Sequence, residues 1–359
     1  MFDPVELMGG APYSLPAEEK RRRMEQGLSE LTQHHYHNCP EYARLLDGLG
    51  TDAKSCYTLE EFPMLPVRLF KEFDLKSVSQ DKVAKTLTSS GTSGQSVSRI
   101  FLSKENTRVQ SRVLAQIIAS YIGKARLPLL ILDTEQVKRD RTMYSARGAG
   151  IIGFSTFGRN VFFALDANMQ LRVDEVKDWL RSHAGEPILL FGYTYMLWQF
   201  VVRALEESDA TFGIDDGYLF HIGGWKKLRD QAVEPEEFNN RAQSVLGNIT
   251  VHNYYGMAEQ LGSVFVECEC GHMHCSNYSD VIIRRFEDLA VADDGERGFV
   301  ELLSLLPTSY PGHVIVTEDE GQILGEDDCP CGRLGKYFKL HGRIKGAEVR
   351  GCSDTYERK

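Results

Sequence analysis

Pro187-Ile188-Leu189-Leu190-Phe191-Gly192 is a short apolar run bounded by proline and glycine, and Gly192-Tyr193-Thr194-Tyr195 leads from it into a helical pattern over Met196 to Glu206. Runs of this length read as strands. Outward from it the same pattern recurs in Pro128-Leu129-Leu130-Ile131-Leu132 and Gly150-Ile151-Ile152-Gly153-Phe154. Between these pieces, Lys104 to Ile122 and Val173 to His183 carry apolar residues on one face and are predicted helices. Strands alternating with helices predict an α/β sheet domain whose ligand loops lie beyond its strand ends.

One such loop stands out. Thr88-Ser89-Ser90-Gly91-Thr92-Ser93-Gly94-Gln95-Ser96 separates an apolar run ending at Leu87 from Ile100-Phe101-Leu102. Glycine permits close approach of a ligand and positive φ, while serine and threonine add donors, so the loop can turn N–H groups and hydroxyls toward a polyphosphate. The pattern G-x-x-x-x-G-K-[ST] is absent, which removes the P-loop reading. Further on, the strand-like Tyr218-Leu219-Phe220-His221 runs into Gly223-Gly224, bare backbone against which a planar base can lie.

The chain has 359 residues and 42% hydrophobic content, enough for one large domain with a smaller one. A formal charge of −10 argues against nucleic acid or an anionic membrane as a general partner. No apolar stretch reaches transmembrane length, and Met1-Phe2-Asp3-Pro4-Val5-Glu6 lacks the features of a signal peptide, so the expected compartment is the cytosol. The eight cysteines are then expected as reduced thiols, metal ligands or a nucleophile. Glu18 to Leu49 reads as helical, and its crowded His34, His35 and His37 fit packing better than a metal motif.

Cysteine spacing is an independent signal. Cys268-Glu269-Cys270-Gly271 and Cys329-Pro330-Cys331-Gly332 are twin C-x-C-G elements, and His272, His274 and Cys275 follow the first. Two thiolate clamps separated by a long insert suit a closed, structural Zn²⁺ site. Symmetry alone favours Cys268, Cys270, Cys329 and Cys331.

Four more stretches complete the picture: Phe62-Pro63-Met64-Leu65-Pro66-Val67-Arg68-Leu69-Phe70-Lys71, Asn253-Tyr254-Tyr255-Gly256-Met257-Ala258-Glu259, Thr317-Glu318-Asp319 and Gly342-Arg343-Ile344-Lys345-Gly346. In this order, with the serine/threonine loop, the chain resembles the LuxE-type acyl-protein synthetases within the adenylate-forming enzymes, over nearly its whole length. The resemblance implies an α/β fold like the N-terminal domain of those enzymes, with the usual small C-terminal domain absent. It implies a helical region 1–85 integrated into the main domain, a core 86–340 with a zinc-binding insert, and a hinge-like tail 341–359.

The site roles follow from the same resemblance. Ser89, Ser90, Gly91, Thr92, Ser93 and Gly94 would hold phosphate, Gly223 and Gly224 would face adenine, and Tyr255 beside Gly256 would stack near it. Ala258 stands at the α-phosphate position in place of the common threonine. Glu259 would hold Mg²⁺, Asp319 the ribose hydroxyls, and Arg343 ribose or phosphate, with Lys345 nearby on the hinge. Phenylacetate–CoA-ligase-like relatives suggest Cys268, His274, Cys329 and Cys331 as the zinc ligands. Cys352 in Arg350-Gly351-Cys352-Ser353 matches the cysteine that becomes acylated. The implied activity is ATP-dependent conversion of a medium- or long-chain fatty acid to acyl-AMP and transfer to Cys352, for handover to a reductase subunit. Two alternatives are a ligase passing a small or aryl acid to coenzyme A or a carrier-protein thiol, and a non-catalytic zinc-stabilised scaffold.

Overall fold

The computed structural model describes residue 6 and residues 9–88, 97–138, 146–225 and 232–344. Ser89, Ser90, Gly91, Thr92, Ser93, Gly94, Lys345 and Cys352 therefore lie outside the described residues. The chain forms two compact units, one built from Met1–Tyr121 and Tyr255–Glu348, the other on Ile122–Tyr254. Both limits fall inside the stretch 86–340 that reads as one core in the sequence.

The second unit is a parallel sheet. Its strands run in the order Gly158–Leu165, Leu127–Thr134, Ile188–Tyr193, Ile214–Ile222 and Gly247–Tyr255. Leu127–Thr134 and Ile188–Tyr193 are buried at every position, so both faces are covered and the sequence shows no polar alternation. One expectation fails here: Gly150-Ile151-Ile152-Gly153-Phe154 is part of the helix Ala146–Ser155, and the strand follows at Gly158–Leu165. Ile151 and Phe154, three apart, are buried while Ile152 is exposed, which is helical rather than strand periodicity. Phe154 stacks on Phe191 of the neighbouring strand with ring centroids 4.2 Å apart.

The first unit carries a mostly antiparallel sheet in the order Ser279–Arg284, Gly298–Ser304, Val314–Glu326, Lys336–Arg343, Met273–His274 and Phe265–Glu267. The short strand Leu65–Pro66 adds in parallel to Val314–Glu326. Two helices accompany it, Ala17–Asn38 and Pro40–Gly48, separated where Pro40 forces Cys39 into extended backbone. The buried stripe of the first helix runs through Met24, Leu28, Leu31 and His35. His35 is a packed core group: Nδ1 lies 2.7 Å from Ser77 Oγ and Nε2 donates to Pro307 O at 3.0 Å. Among the described residues, no helix is long and apolar enough to cross a membrane.

Candidate functional site

In the first unit the hairpin of Val83–Thr88 and Arg99–Ser103 closes with Thr88 opposite Arg99, which holds both ends of the segment containing the serine/threonine loop. Ser98, just past that loop, is buried, and its side chain hydrogen-bonds Glu259. Glu259 lies on a single helical turn, Ala258–Gln260. Gln260 anchors this turn by donating from Nε2 to Leu302 O at 3.0 Å and to Gly312 O at 2.9 Å. A Cβ at Gly312 would come within 2.5 Å of Glu259 O, so only glycine lets the two segments approach this closely. Burial raises the Glu259 pKa against the opposing pull of Ser98, Lys71 and Arg343.

Tyr255 ends the strand Gly247–Tyr255 and donates from its hydroxyl to Asp319 Oδ2 at 2.6 Å. Asp319 and Arg343 are partners in the antiparallel register, and Arg343 Nε lies 3.8 Å from Asp319 Oδ1. Arg343 Nη1 is also 3.8 Å from Glu318 Oε2. Burial raises the pKa of Asp319, with Tyr255 and Arg343 opposing it, and burial first, then Asp319, raises that of Tyr255. Tyr255, Asp319 and Arg343 thus form one contact group, and Glu259, which feels the charge of Arg343, follows Tyr255 in the chain across half-buried Gly256 and Ala258. Sequence reasoning left Ser98 and Lys71 without a role. Ser98 is foreshadowed only by following the loop, and Lys71 only by closing the proline-rich motif.

The cysteine elements converge. One donor atom from each of Cys268, His274, Cys329 and Cys331 lies within 4.8 Å of every other. Cys268 Sγ to Cys329 Sγ is 3.9 Å and Cys331 Sγ to His274 Nε2 is 3.3 Å. Tetrahedral Zn²⁺ with ordinary bond lengths needs about 3.8 Å between sulfurs and about 3.5 Å between sulfur and nitrogen, so the donor set fits the ion. The local cause is a pair of equivalent turns, with Gly271 N–H donating to Cys268 O and Gly332 N–H to Cys329 O, both at 2.9 Å. Their glycines have φ of +76° and +78°, which side-chain-bearing residues rarely adopt. Cys270 falls outside the group: its thiol is exposed and its N–H points at Cys268 Sγ, 3.4 Å away. The symmetric four-cysteine set is therefore replaced by one in which His274, set by strand pairing opposite Tyr337, supplies the fourth donor.

Burial raises the Cys268 thiol pKa well above its ordinary value and that of Cys329 to about 11, and it lowers His274 to about 4. At Cys331 burial is outweighed by hydrogen bonds from Arg333, and the pKa falls. His274 Nδ1 is buried without a hydrogen-bond partner among the described residues.

In the second unit Gly223 and Gly224 are exposed at the end of Ile214–Ile222. Thr194 fixes the turn by donating from Oγ1 to Gly223 O at 2.5 Å, with His221 Nδ1 2.9 Å from the same hydroxyl.

Comparison with known proteins sets this geometry in a family. A family model described as "Acyl-protein synthetase, LuxE" matches residues 5–359. A long-chain-fatty-acid–luciferin-component ligase of Vibrio harveyi is 24% identical over 96% of this chain and 90% of its own length. Its counterpart from Aliivibrio fischeri is 23% identical over 95% and 90%. Among solved structures, an open conformation of 2-hydroxyisobutyryl-CoA ligase, in complex with 2-HIB-AMP and CoA, superposes with a TM-score of 0.71 at 17% identity, covering 94% of this chain and 77% of that one. The same ligase in its thioesterification state gives 0.69 at 17% identity, over 96% and 72%. The fold is that of the adenylate-forming ligases.

Proposed function

The chain belongs to the LuxE family of acyl-protein synthetases, and on that footing we propose that it activates a fatty acid with ATP and passes the acyl group to a protein thiol, Cys352 of its own chain. In the first step a carboxylate oxygen attacks the α-phosphorus of ATP, the bond to pyrophosphate breaks, and acyl-AMP forms. In the second, the Cys352 sulfur attacks the acyl carbon, AMP leaves, and the thiol proton goes to solvent. The medium- or long-chain acyl thioester then passes to a reductase subunit.

The observation that carries this reading is the contact group of Tyr255, Asp319 and Arg343, with Glu259 under the charge of the same arginine. Asp319 keeps an oxygen, Oδ1, that Tyr255 does not use, and a carboxylate can accept from two ribose hydroxyls at once. Arg343, already beside it, adds positive charge for phosphate or ribose oxygens. Glu259 offers a carboxylate to Mg²⁺, which when bound would offset the charge of the polyphosphate. Ser98 and the glycine-supported turn keep that carboxylate in place. Ser89, Ser90, Gly91, Thr92, Ser93 and Gly94 are assigned to phosphate, Ala258 to the α-phosphate with one hydrogen bond fewer, and Lys345 to the hinge. Gly223 and Gly224 offer the bare backbone that suits the base. Cys268, His274, Cys329 and Cys331 are assigned to a structural Zn²⁺ with no open position for catalysis.

Acid-dependent exchange of labelled pyrophosphate into ATP tests the first step without an acceptor. Exchange supported by fatty acids is expected, and its absence across a chain-length series removes the proposal. Release of free acyl-CoA by Cys352→Ala enzyme given coenzyme A would move the acceptor from the protein to the coenzyme.

A further inference from the structure

The four donors of the cysteine cluster have neighbours that a tetrahedral count leaves out. Zn²⁺ held by Cys268, His274, Cys329 and Cys331 would set two positive charges against three thiolates and leave the closed set with one net negative charge. Cys268, Cys329 and His274 are buried, so that charge cannot be left to water. Metal-binding imidazoles are ordinarily steadied by a hydrogen bond at the other ring nitrogen, but Nδ1 of His274 has no partner among the described residues. Support for the site has to come through the sulfurs.

It comes from two kinds of donor. The Cys270 N–H points at Cys268 Sγ from 3.4 Å and the Cys331 N–H bonds Cys329, and both belong to the C-x-C-G turns themselves. The others are side chains. Nδ1 of half-buried His272 lies 3.3 Å from Cys329 Sγ, and its ring stacks on Tyr337 with centroids 4.8 Å apart. A metal-bound thiolate has no proton to give, so this contact can run only from Nδ1–H to sulfur. Arg333, which follows the second turn, hydrogen-bonds the Cys331 side chain. Its guanidinium lies 4.3 Å from the Tyr121 ring centroid and donates from Nη1 and Nη2 to Glu269, at 2.7 and 3.2 Å. Glu269, in the first turn, is 54% exposed and screened by water, whereas Arg333 is 14% exposed. Lys20, whose charge also reaches His274, is engaged with Cys275 O at 3.3 Å and with Asp280 Oδ2 at 3.9 Å.

We propose that His272 and Arg333 are working parts of the metal site: each donates a hydrogen bond to a metal-bound sulfur, on Cys329 and Cys331 respectively, and the guanidinium supplies the charge that balances the ion with its three thiolates. The inference rests on the Zn²⁺ assignment made above. Groups that hold the ligands instead of the ion set metal affinity by about tenfold to a hundredfold. The charge role belongs to Arg333. A hydrogen bond also lowers the energy of a sulfur lone pair, so His272 raises the energy of charge transfer from sulfur to any metal that shows it.

The test is the Zn²⁺ affinity of the full chain, measured by competition with a chromophoric chelator. Arg333→Met is expected to weaken binding by about tenfold to a hundredfold, Arg333→Lys, which keeps the charge, by less, and His272→Phe, which keeps a ring on Tyr337, by about tenfold. Glu269→Gln takes the charge from the link between the two turns but leaves both sulfur donors, and it should not weaken binding. With Co²⁺ in place of Zn²⁺, His272→Phe should move the sulfur-to-metal charge-transfer band to longer wavelength and leave the tetrahedral d–d bands in place, a signature that loosened packing does not give. The band and Glu269→Gln decide the matter even if Arg333→Met folds poorly. An unmoved band, wild-type affinity in either Arg333→Met or His272→Phe, or a loss in Glu269→Gln equal to that in Arg333→Met overturns the inference and leaves the zinc assignment standing. Wild-type protein that binds no Zn²⁺ overturns the assignment, and this inference with it.

Discussion

The four-donor cluster and the group around Asp319 both lie in the first unit, and both keep ionisable side chains under cover, but they settle the cost of burial differently. In the cluster, three sulfurs and an imidazole face one another at the separations a tetrahedral ion requires. A bound cation would let the thiols shed their protons and would tie Cys268 to Cys329, 61 residues away. Around Asp319 the protein supplies its own partners, a tyrosine hydroxyl at 2.6 Å and a guanidinium at 3.8 Å. Such a group is stable before a ligand arrives and has contacts to exchange when one does. On the function proposed above, the difference is that between a closed structural site and one whose contacts a ligand exchanges.

The largest expected effect breaks the first half of that contrast. Cys268→Ser or Cys331→Ser should lose the metal and lower the melting temperature by about 10 °C or more, read by metal analysis alongside calorimetry. Cys270→Ser, on an exposed thiol, should change neither. Equal losses from all three would remove the distinction between His274 and Cys270 as the fourth ligand.

Next comes Glu259→Gln, which should reduce pyrophosphate exchange by roughly a hundredfold through loss of the Mg²⁺ carboxylate. Its stability effect has the opposite direction. Burial raises the folded pKa of Glu259, so its charge is a cost once pH exceeds that value; stability is full below the unfolded pKa and is lost as pH rises through the folded one. The neutral variant should therefore unfold at higher denaturant than wild type at pH 7 without ligand, and the gap should close on acidification. A variant less stable at both pH values would contradict the burial argument.

Asp319→Asn should raise KM for ATP by about tenfold, because an amide accepts less well from two hydroxyls. In the wild type, the raised Asp319 pKa should make ATP affinity weaken on acidification at pH values above the ordinary aspartate range. A KM–pH profile breaking only at or below that range would count against the assignment. The smallest effect belongs to Tyr255→Phe, worth about 1 kcal/mol, since it removes one hydrogen bond to a carboxylate that Arg343 still faces.

How much of this could be read from the chain depended on how local each cause is. The C-x-C-G turns are local, so the two thiol clamps are legible in the chain, whereas the convergence of His274 in place of Cys270 follows from a strand pairing that spacing does not encode. Tyr255 and Glu259 lie in one short segment, but the register that sets Asp319 opposite Arg343 emerges only in the folded sheet. Ser98 against Glu259 is a tertiary contact with no pattern in the sequence. Ile151 to Phe154 misled for the opposite reason: a run this short suits a strand and a buried helix equally, and packing on Phe191 decides.

Acyl transfer to Cys352 through an adenylate is measured directly by intact-protein mass spectrometry with ATP, Mg²⁺ and the best acid from the exchange series. Wild-type protein should gain the mass of one acyl group, removable by neutral hydroxylamine. Cys352→Ala should remain unmodified while still catalysing pyrophosphate exchange, and Glu259→Gln should be deficient in both. An adduct of the same mass and lability on Cys352→Ala protein would rule out this thiol as the acceptor.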